Sequence, residues 1–416
     1  MEILIEKLDN EGNGLSHIDG KIIFVPKCLE GELVDIDIVK GTKKYYVGKL
    51  NKVIIPSKKR IEPLCKHFNK CGGCNLLNLE YKDTLKYKEN KIKEIFKKYL
   101  DYNLNVNIIE SDNKLNYRNK LILHVENNKL GLIDEDNKIF NIDECYLVNK
   151  SINNIIGYIK SLNICNGKVL IRSNDKDELL ISIDTKDKID LKNINDNIKG
   201  IILNNKVIYG EDYFIETINN LKFKVSYNSF FQINRSINSK LFDIINDNIN
   251  NNDKVLDLYC GVGSIGINAS LKASKVLGID NLESNIKDAN ENKKINSIKN
   301  IEFIYGDASI FLKYVDKDID TIIVDPPRNG LNKFTLKNLM DYKPKKLIYV
   351  SCDPFTLVRD LKELISIYEL DKYYLLDMFP YTHHIESLMV LERKWLWAIL
   401  KKIYLKCKIK NIEKYK

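Results

Sequence analysis

The fold class this sequence predicts is α/β, with a doubly wound parallel sheet in the C-terminal half behind two β-rich regions. Three observations carry it. From Ser229-Phe230-Phe231-Gln232-Ile233-Asn234 onward, strand-like apolar runs alternate with helical patterns, as parallel strands joined by crossover helices require. Before that point short strands are broken by Gly and Asn. Between them lies a tight group of cysteines at 65, 71 and 74.

Composition sets the outer limits. The 416 residues suit two or three domains, and 44% hydrophobic residues are enough for ordinary cores. No apolar run approaches the roughly 20 residues of a membrane span. The start, Met1-Glu2-Ile3-Leu4-Ile5-Glu6, lacks the order of a signal peptide, so a cytoplasmic protein with no membrane partner is expected. In a reducing compartment its nine cysteines serve as ligands, nucleophiles or core residues rather than disulfides. A formal charge of +9 is compatible with a polyanion such as RNA without requiring one.

Residues 1–56 read as strands Glu2 to Leu8, Lys21 to Val25, Leu33 to Val39 and Tyr45 to Val53, a small OB-like barrel. Lys40, Lys43, Lys44, Tyr45, Tyr46 and Lys49 mix cations with aromatics, which suits single-stranded nucleic acid and equally suits a solvated hairpin rim. Residues 57–228 form the expected central β-rich domain. It opens on Cys65, Cys71-Gly72-Gly73-Cys74, a C-x5-C-x2-C array whose glycines let neighbouring thiolates converge on a metal. A fourth thiolate is needed. Cys145 is the leading candidate, with Cys28 and Cys165 as rivals; zinc and an iron-sulfur cluster both suit four thiolates. Leu76 to Leu100 carries an amphipathic, lysine-rich helical pattern, and Tyr117-Arg118-Asn119-Lys120 is either an RNA contact or a charged strand edge.

Residues 229–393 carry the chemistry-bearing motifs. Strand Lys254 to Leu258 enters Asp257-Leu258-Tyr259-Cys260-Gly261-Val262-Gly263-Ser264-Ile265-Gly266, and the next strand ends at Asp280. Gly261, Gly263 and Gly266 satisfy G-x-G-x-x-G, the pattern of a nicotinamide site. Two features oppose a dehydrogenase: Asp257 and Tyr259 stand ahead of the first glycine, placed for an amino group and an adenosine, and Asp325-Pro326-Pro327-Arg328 follows a later strand. That rigid turn holds a carboxylate at the carboxyl edge of the sheet, where such folds bind ligands. Asp307 adds another strand-end acid. Strand Leu347 to Val350 runs into Ser351-Cys352-Asp353-Pro354, a turn that presents Cys352, and Glu386 stands at the start of a final strand as a general base. A strand-end cysteine is ordinarily a small core residue and a strand-start glutamate a surface one; each gains from the other.

Together these residues resemble the RNA uracil-5-methyltransferase family, specifically the bacterial 23S ribosomal-RNA enzymes with a TRAM barrel and a four-iron cluster, over nearly the whole chain to about Arg393. The resemblance implies a Rossmann-like, S-adenosylmethionine-dependent methyltransferase domain at 229–393 and a [4Fe-4S] cluster on Cys65, Cys71, Cys74 and Cys145. It implies that Gln232, Tyr259, Asp280 and Asp325 contact S-adenosylmethionine or the target base, with Asp307 near the adenine. Cys352 matches the nucleophile and Glu386 the base; RNA, most specifically 23S rRNA, is the expected partner of a monomer. It also implies that the helix after the cysteines packs on the methyltransferase domain. Asp280 stands where the family often has Glu, one methylene longer. The extension 394–416 adds Trp395, Trp397 and lysines, either an RNA contact or a frayed basic helix. A transfer-RNA enzyme and a catalytically silent RNA-binding protein are the alternatives.

Overall fold

The computed structural model describes residues 1–394 apart from 135 and 317, so the expectation for the 394–416 extension lies outside the described residues from 395 on. Six strands, Glu2–Leu4, Lys7–Leu8, Gly14–Ile18, Lys21–Val25, Leu33–Gly41 and Tyr45–Ile55, form one mixed sheet around Ile3, Ile5, Ile23, Val25, Cys28, Val34 and Ile36. The first two strands sit at opposite edges of the sheet. The residues joining them bridge those edges: the Ile5 amide donates to the Glu32 carbonyl and the Glu6 amide to that of Leu15. This closes the barrel.

Helix α1 (Tyr81–Leu100) follows the cysteines. The helical pattern predicted from Leu76 begins five residues later, because the Leu76 amide is drawn to the Tyr381 carbonyl at 3.1 Å and the chain turns through Leu79 before Glu80 starts the helix. Its apolar stripe, Ile92, Ile95 and Phe96, packs on one face of the C-terminal sheet. Strand Asn107–Ile109 adds an eighth strand to that sheet beside Tyr374–Leu376. Two pieces of the 57–228 stretch therefore belong spatially to the C-terminal layer.

The remaining central region is a seven-stranded sheet running from Lys120–Glu126 to Lys206–Gly210. A helix unforeseen in the sequence, α2 (Lys150–Ser161), lies on it and buries Ile152, Ile155, Ile156 and Ile159. The signal was present: Asn149 caps the Ile152 amide at 3.1 Å, and the isoleucines recur at helical spacing. A hairpin, Tyr213–Ile218 with Leu221–Ser226, follows.

The C-terminal sheet runs Ile301–Tyr305, Lys275–Asp280, Lys254–Leu258, Thr321–Val324, Lys346–Ser351, Glu386–Arg393, Tyr368–Leu376, Asn107–Ile109. All pairings are parallel except those of Glu386–Arg393. Both faces are covered, as near-continuous apolar strands require. Helices α3 (Arg235–Asp247) and α4 (Ser264–Ala269) meet one face through Leu241, Ile245 and Ile267, with α5 (Glu283–Ile295) packed beside strand Ile301–Tyr305. On the other face, α6 (Lys333–Tyr342) and α7 (Pro354–Leu364) join α1 through Leu339, Leu357 and Leu361. The carboxyl ends of the parallel strands, with the start of Glu386–Arg393, meet at one edge.

Candidate active site

The glycine loop is built around its own acid. Tyr259, Gly261 and Gly263 all adopt left-handed backbone, with φ of 64°, 54° and 80°. A Cβ on Gly263 would stand 2.5 Å from the Phe303 ring, so only glycine lets the loop pass. The Asp280 carboxylate accepts from the Gly261 amide at 2.9 Å, the Leu282 amide at 2.9 Å and Asn285 Nδ2 at 3.0 Å. It thereby ties the loop to the end of the neighbouring strand. Asp257 departs from expectation: it is 0% exposed and, lying against Gly266 behind the loop, lines no described cavity. Its carboxyl oxygens pair with no side chain, and burial, reinforced by Asp325 and only eased by the Gly266 amide, holds the group well above the usual carboxylate range.

Next to this loop opens a cavity of about 910 Å³, lined by Gln232, Tyr259, Asp280, Asp325, Cys352 and Glu386 among others. Strand register explains why the last three meet. Ser351 pairs with Ser387 across antiparallel strands, so Cys352 and Glu386 are each one residue beyond a shared pair. Asp325 follows Val324, which pairs with Tyr349 on the same central strand. After Cys352, Asp353 is the cap of α7: its Oδ1 accepts from the Phe355 and Thr356 amides at 2.9 Å each, with Pro354 in the first turn.

The site is acidic, with Glu386 buried and Cys352 and Asp325 half-buried. Burial pushes the Cys352 thiol up to about 11, with Glu386 and Asp325 adding to it and Arg328 opposing. Burial also holds Glu386, 3% exposed, well above the carboxylate range; Asp325 adds and Arg328 again opposes. Asp325 itself is raised to about 7 by burial. Arg328 is thus the cation of this group, a role the Asp-Pro-Pro-Arg motif did not announce. Asp307 is not among the lining residues; it is exposed, and its Oδ1 caps a short 3₁₀ helix by accepting from the Ser309 amide at 2.7 Å.

The loop leading to Glu386 is gripped from outside. The carbonyls of Met378, Phe379, Pro380 and Tyr381 accept from Asn234 Nδ2 (3.3 Å), Lys88 Nζ (2.9 Å), the Tyr117 hydroxyl (3.2 Å) and the Leu76 amide (3.1 Å). Lys88, wholly buried, pairs with the equally buried Asp377 at 2.6 Å, and the Tyr81 hydroxyl donates to the other Asp377 oxygen at 2.8 Å. Tyr117-Arg118-Asn119-Lys120 also grips the segment carrying Gln232. The Asn119 amide donates to Ile233, and Asn119 Nδ2 donates to the Gln232 carbonyl at 3.1 Å.

Cys71, Cys74 and Cys145 line the far side of the same cavity. The thiols of Cys65, Cys71, Cys74 and Cys145 are electrostatic neighbours: burial raises Cys74 well above its ordinary value and the other three add to the rise, while Arg118 opposes it. Asn153 clamps Cys145, its Oδ1 accepting from the Cys145 amide at 2.8 Å and its Nδ2 donating to the carbonyl at 3.1 Å. Of the rivals, Cys28 is buried in the barrel core and Cys165 lines a separate cavity with Asn128 and Asn163. Among the described residues no three His, Cys, Asp or Glu side chains form a group that could hold a single metal ion. Four thiols can still suit a cluster, whose ligands stand farther apart than those of one ion because each binds a different iron.

Comparison with known proteins gives concordant results. A family model described as tRNA (uracil-5-)-methyltransferase matches residues 80–394, and a TRAM domain model matches residues 1–50. An uncharacterized RNA methyltransferase of Caldanaerobacter subterraneus is 33% identical over 94% of this chain and 98% of its own length. One from Clostridium acetobutylicum is 34% identical over 94% of this chain and 96% of its own. The crystal structure of Pyrococcus abyssi tRNA (uracil-54, C5)-methyltransferase with S-adenosyl-L-homocysteine superposes with a TM-score of 0.79 at 27% identity, covering 94% of this chain and all of that one.

Proposed function

Because this chain belongs to the tRNA (uracil-5-)-methyltransferase family and is an S-adenosylmethionine-dependent RNA (uracil-5-)-methyltransferase, we propose that it methylates carbon 5 of a specific uridine through Cys352 and Glu386. The observation that carries the assignment is the convergence of Cys352, Glu386, Asp325 and the Tyr259 to Gly261 loop on one cavity.

Carbon 5 of uracil is too weak a nucleophile to take a methyl group unaided. The Cys352 thiolate adds to carbon 6, the ring electrons move onto carbon 4 oxygen and carbon 5, and carbon 5 then takes the methyl group, releasing S-adenosylhomocysteine. The Glu386 carboxylate removes the proton from carbon 5, and the carbon 6–sulfur bond breaks with its electrons returning to Cys352. The low dielectric that raises all three acids makes their charged forms strong: an ionised Glu386 in this setting is a better base than one in water. Arg328 offsets the negative charge the thiolate brings to the site. Gln232, Tyr259, Asp280 and Asp325 hold the methyl donor or base, Asp307, outside the cavity lining, is the acid expected near the adenine, and the uridine is flipped out of its stack to reach the thiol.

The four thiols of Cys65, Cys71, Cys74 and Cys145 hold a four-iron, four-sulfur cluster in this reading, supported by their mutual proximity and the donor set. Such a cluster supplies structural order, since methyl transfer moves no net electron. The barrel (1–56), the central region (57–228), which lends α1 and Asn107–Ile109 to the C-terminal sheet, and the methyltransferase region (229–393) work together in a cytoplasmic monomer.

For the RNA class, resemblance to the ribosomal enzymes in barrel and cysteine array favours 23S rRNA. A specific observation favours a second reading, transfer RNA: the Pyrococcus tRNA enzyme is matched over its whole length, so a full-length likeness extends to a tRNA enzyme. The decisive experiment on the chemistry is the variant Glu386→Gln with RNA substrate and S-adenosylmethionine. A covalent, methylated RNA adduct on Cys352 should accumulate; turnover at the wild-type rate without adduct would refute the assignment.

A further inference from the structure

The base-bearing loop is tied directly to the N-terminal barrel by the Lys91 side chain. Lys91, on α1, is 7% exposed. Its ammonium donates to the His383 carbonyl at 3.0 Å, three residues before Glu386, and to the Asn10 carbonyl at 2.5 Å in the barrel turn between Lys7–Leu8 and Gly14–Ile18. Among the described residues it forms no ion pair with a carboxylate. A buried ammonium whose hydrogen bonds go to backbone carbonyls of two remote segments fixes their separation rather than neutralising a charge.

The barrel turn is built to be held there. Asp9 Oδ1 accepts from the Glu11 and Asn13 amides at 2.8 Å each, which rigidifies the turn, and the Tyr87 hydroxyl, one helical turn before Lys91, donates to the Asp9 carbonyl at 2.8 Å. At its tip Gly12 has φ of 80°, and a Cβ there would stand 3.0 Å from Leu76. The Leu76 amide in turn donates to the Tyr381 carbonyl of the base loop. On the far side of that loop the Lys88–Asp377 pair fixes the entry to residues 378–385. The barrel turn, Leu76 and α1 thus form one contact around the segment that delivers Glu386.

We propose that Lys91 is a positioning residue for the methyl-transfer reaction, coupling the seating of the N-terminal barrel to the placement of Glu386. This inference rests on Glu386 being the base. Lys91 does not line the cavity and touches no reacting atom. Its effect falls on the step that needs the carboxylate in register with carbon 5, after the methyl group has moved. Loss of the tie slows proton removal and leaves thiolate addition and S-adenosylmethionine binding intact.

The test uses the full-length enzyme and compares Lys91→Met, Lys91→Arg, Glu386→Gln and, as a surface control on the same helix, Lys93→Met. For each, kcat, KM for S-adenosylmethionine and the fraction of enzyme trapped as RNA adduct are measured, with thermal unfolding to count folded protein. K91M should lose roughly ten- to a hundredfold in kcat, the scale of a small misplacement of a reacting group. Its KM for the donor should stay near wild type, its adduct fraction should rise toward that of E386Q, and K91R should recover much of kcat. An adduct fraction in K91M no higher than wild type, while E386Q accumulates adduct, overturns the role of Lys91 alone. If E386Q also accumulates none, the base assignment itself is what fails. Should K91M not fold, Tyr87→Phe, which removes only the neighbouring tie to Asp9, decides by the same three readouts.

Discussion

At the scale of single residues, the site gathers one thiol and two carboxyl groups in partly or wholly buried positions. Cys352, Glu386 and Asp325 are all shifted upward by burial, and the two acids shift the thiol further. The sign of the pH dependence follows. In the proposed mechanism each group acts or holds its partner in its ionised form, present only above its raised value, so kcat/KM should climb with pH from about 7 upward rather than peak near neutrality. A profile measured with saturating donor that is flat from mildly acidic to alkaline pH would contradict this. Cys352→Ala should abolish methylation while S-adenosylmethionine still binds, read by calorimetry; retained turnover would remove Cys352 from the mechanism. The strand-end positions of Cys352 and Glu386 were legible in the sequence because the local pattern at each is plain. Arg328, Lys88 and Lys91 were not, because their partners lie up to 292 residues away and nothing in a lysine-rich helix marks which lysines are buried. The full burial of Asp257 was not legible for a related reason: its place ahead of the glycines is visible, but its packing against Gly266 is not.

Elements hold these residues in place. The glycine loop depends on backbone that other residues cannot share, and Gly263→Ala adds both left-handed strain and a collision with Phe303. It should cost about 1–3 kcal/mol of stability and weaken donor binding, measured by chemical denaturation and calorimetry; a variant of wild-type stability and affinity would show that the loop is not fixed there. Helix α1 carries the buried Lys88–Asp377 pair, and Lys88→Met strands a buried carboxylate. About 3–5 kcal/mol of destabilisation is expected, since breaking such a pair costs more than the pair contributes. In the cysteine segment, Cys74→Ser should remove iron and visible colour; one zinc per chain in anaerobically prepared wild type would instead mean a single-ion site. The doubly wound sheet and barrel were readable from hydrophobic period and turn residues. Helix α2 was missed although Asn149 and its isoleucines gave the pattern, because the surrounding strands set the expectation.

For the whole molecule, the arrangement of layers is what local patterns could not predict. Strand Asn107–Ile109 and α1 leave the central stretch to complete the C-terminal sheet, so the cysteine segment between barrel and α1 ends up lining the same cavity as Cys352. Binding of RNA to a chain of net charge +9 should weaken with added salt in proportion to the phosphates contacted. The most direct test of the central claim is tritium release from RNA labelled at carbon 5 of uridine, with S-adenosylmethionine, using 23S rRNA and transfer RNA in parallel. Release matched by methyl incorporation, and absent in Cys352→Ala, is the predicted result, and the RNA that supports it identifies the substrate class. Methyl incorporation without tritium release would contradict carbon 5 as the acceptor.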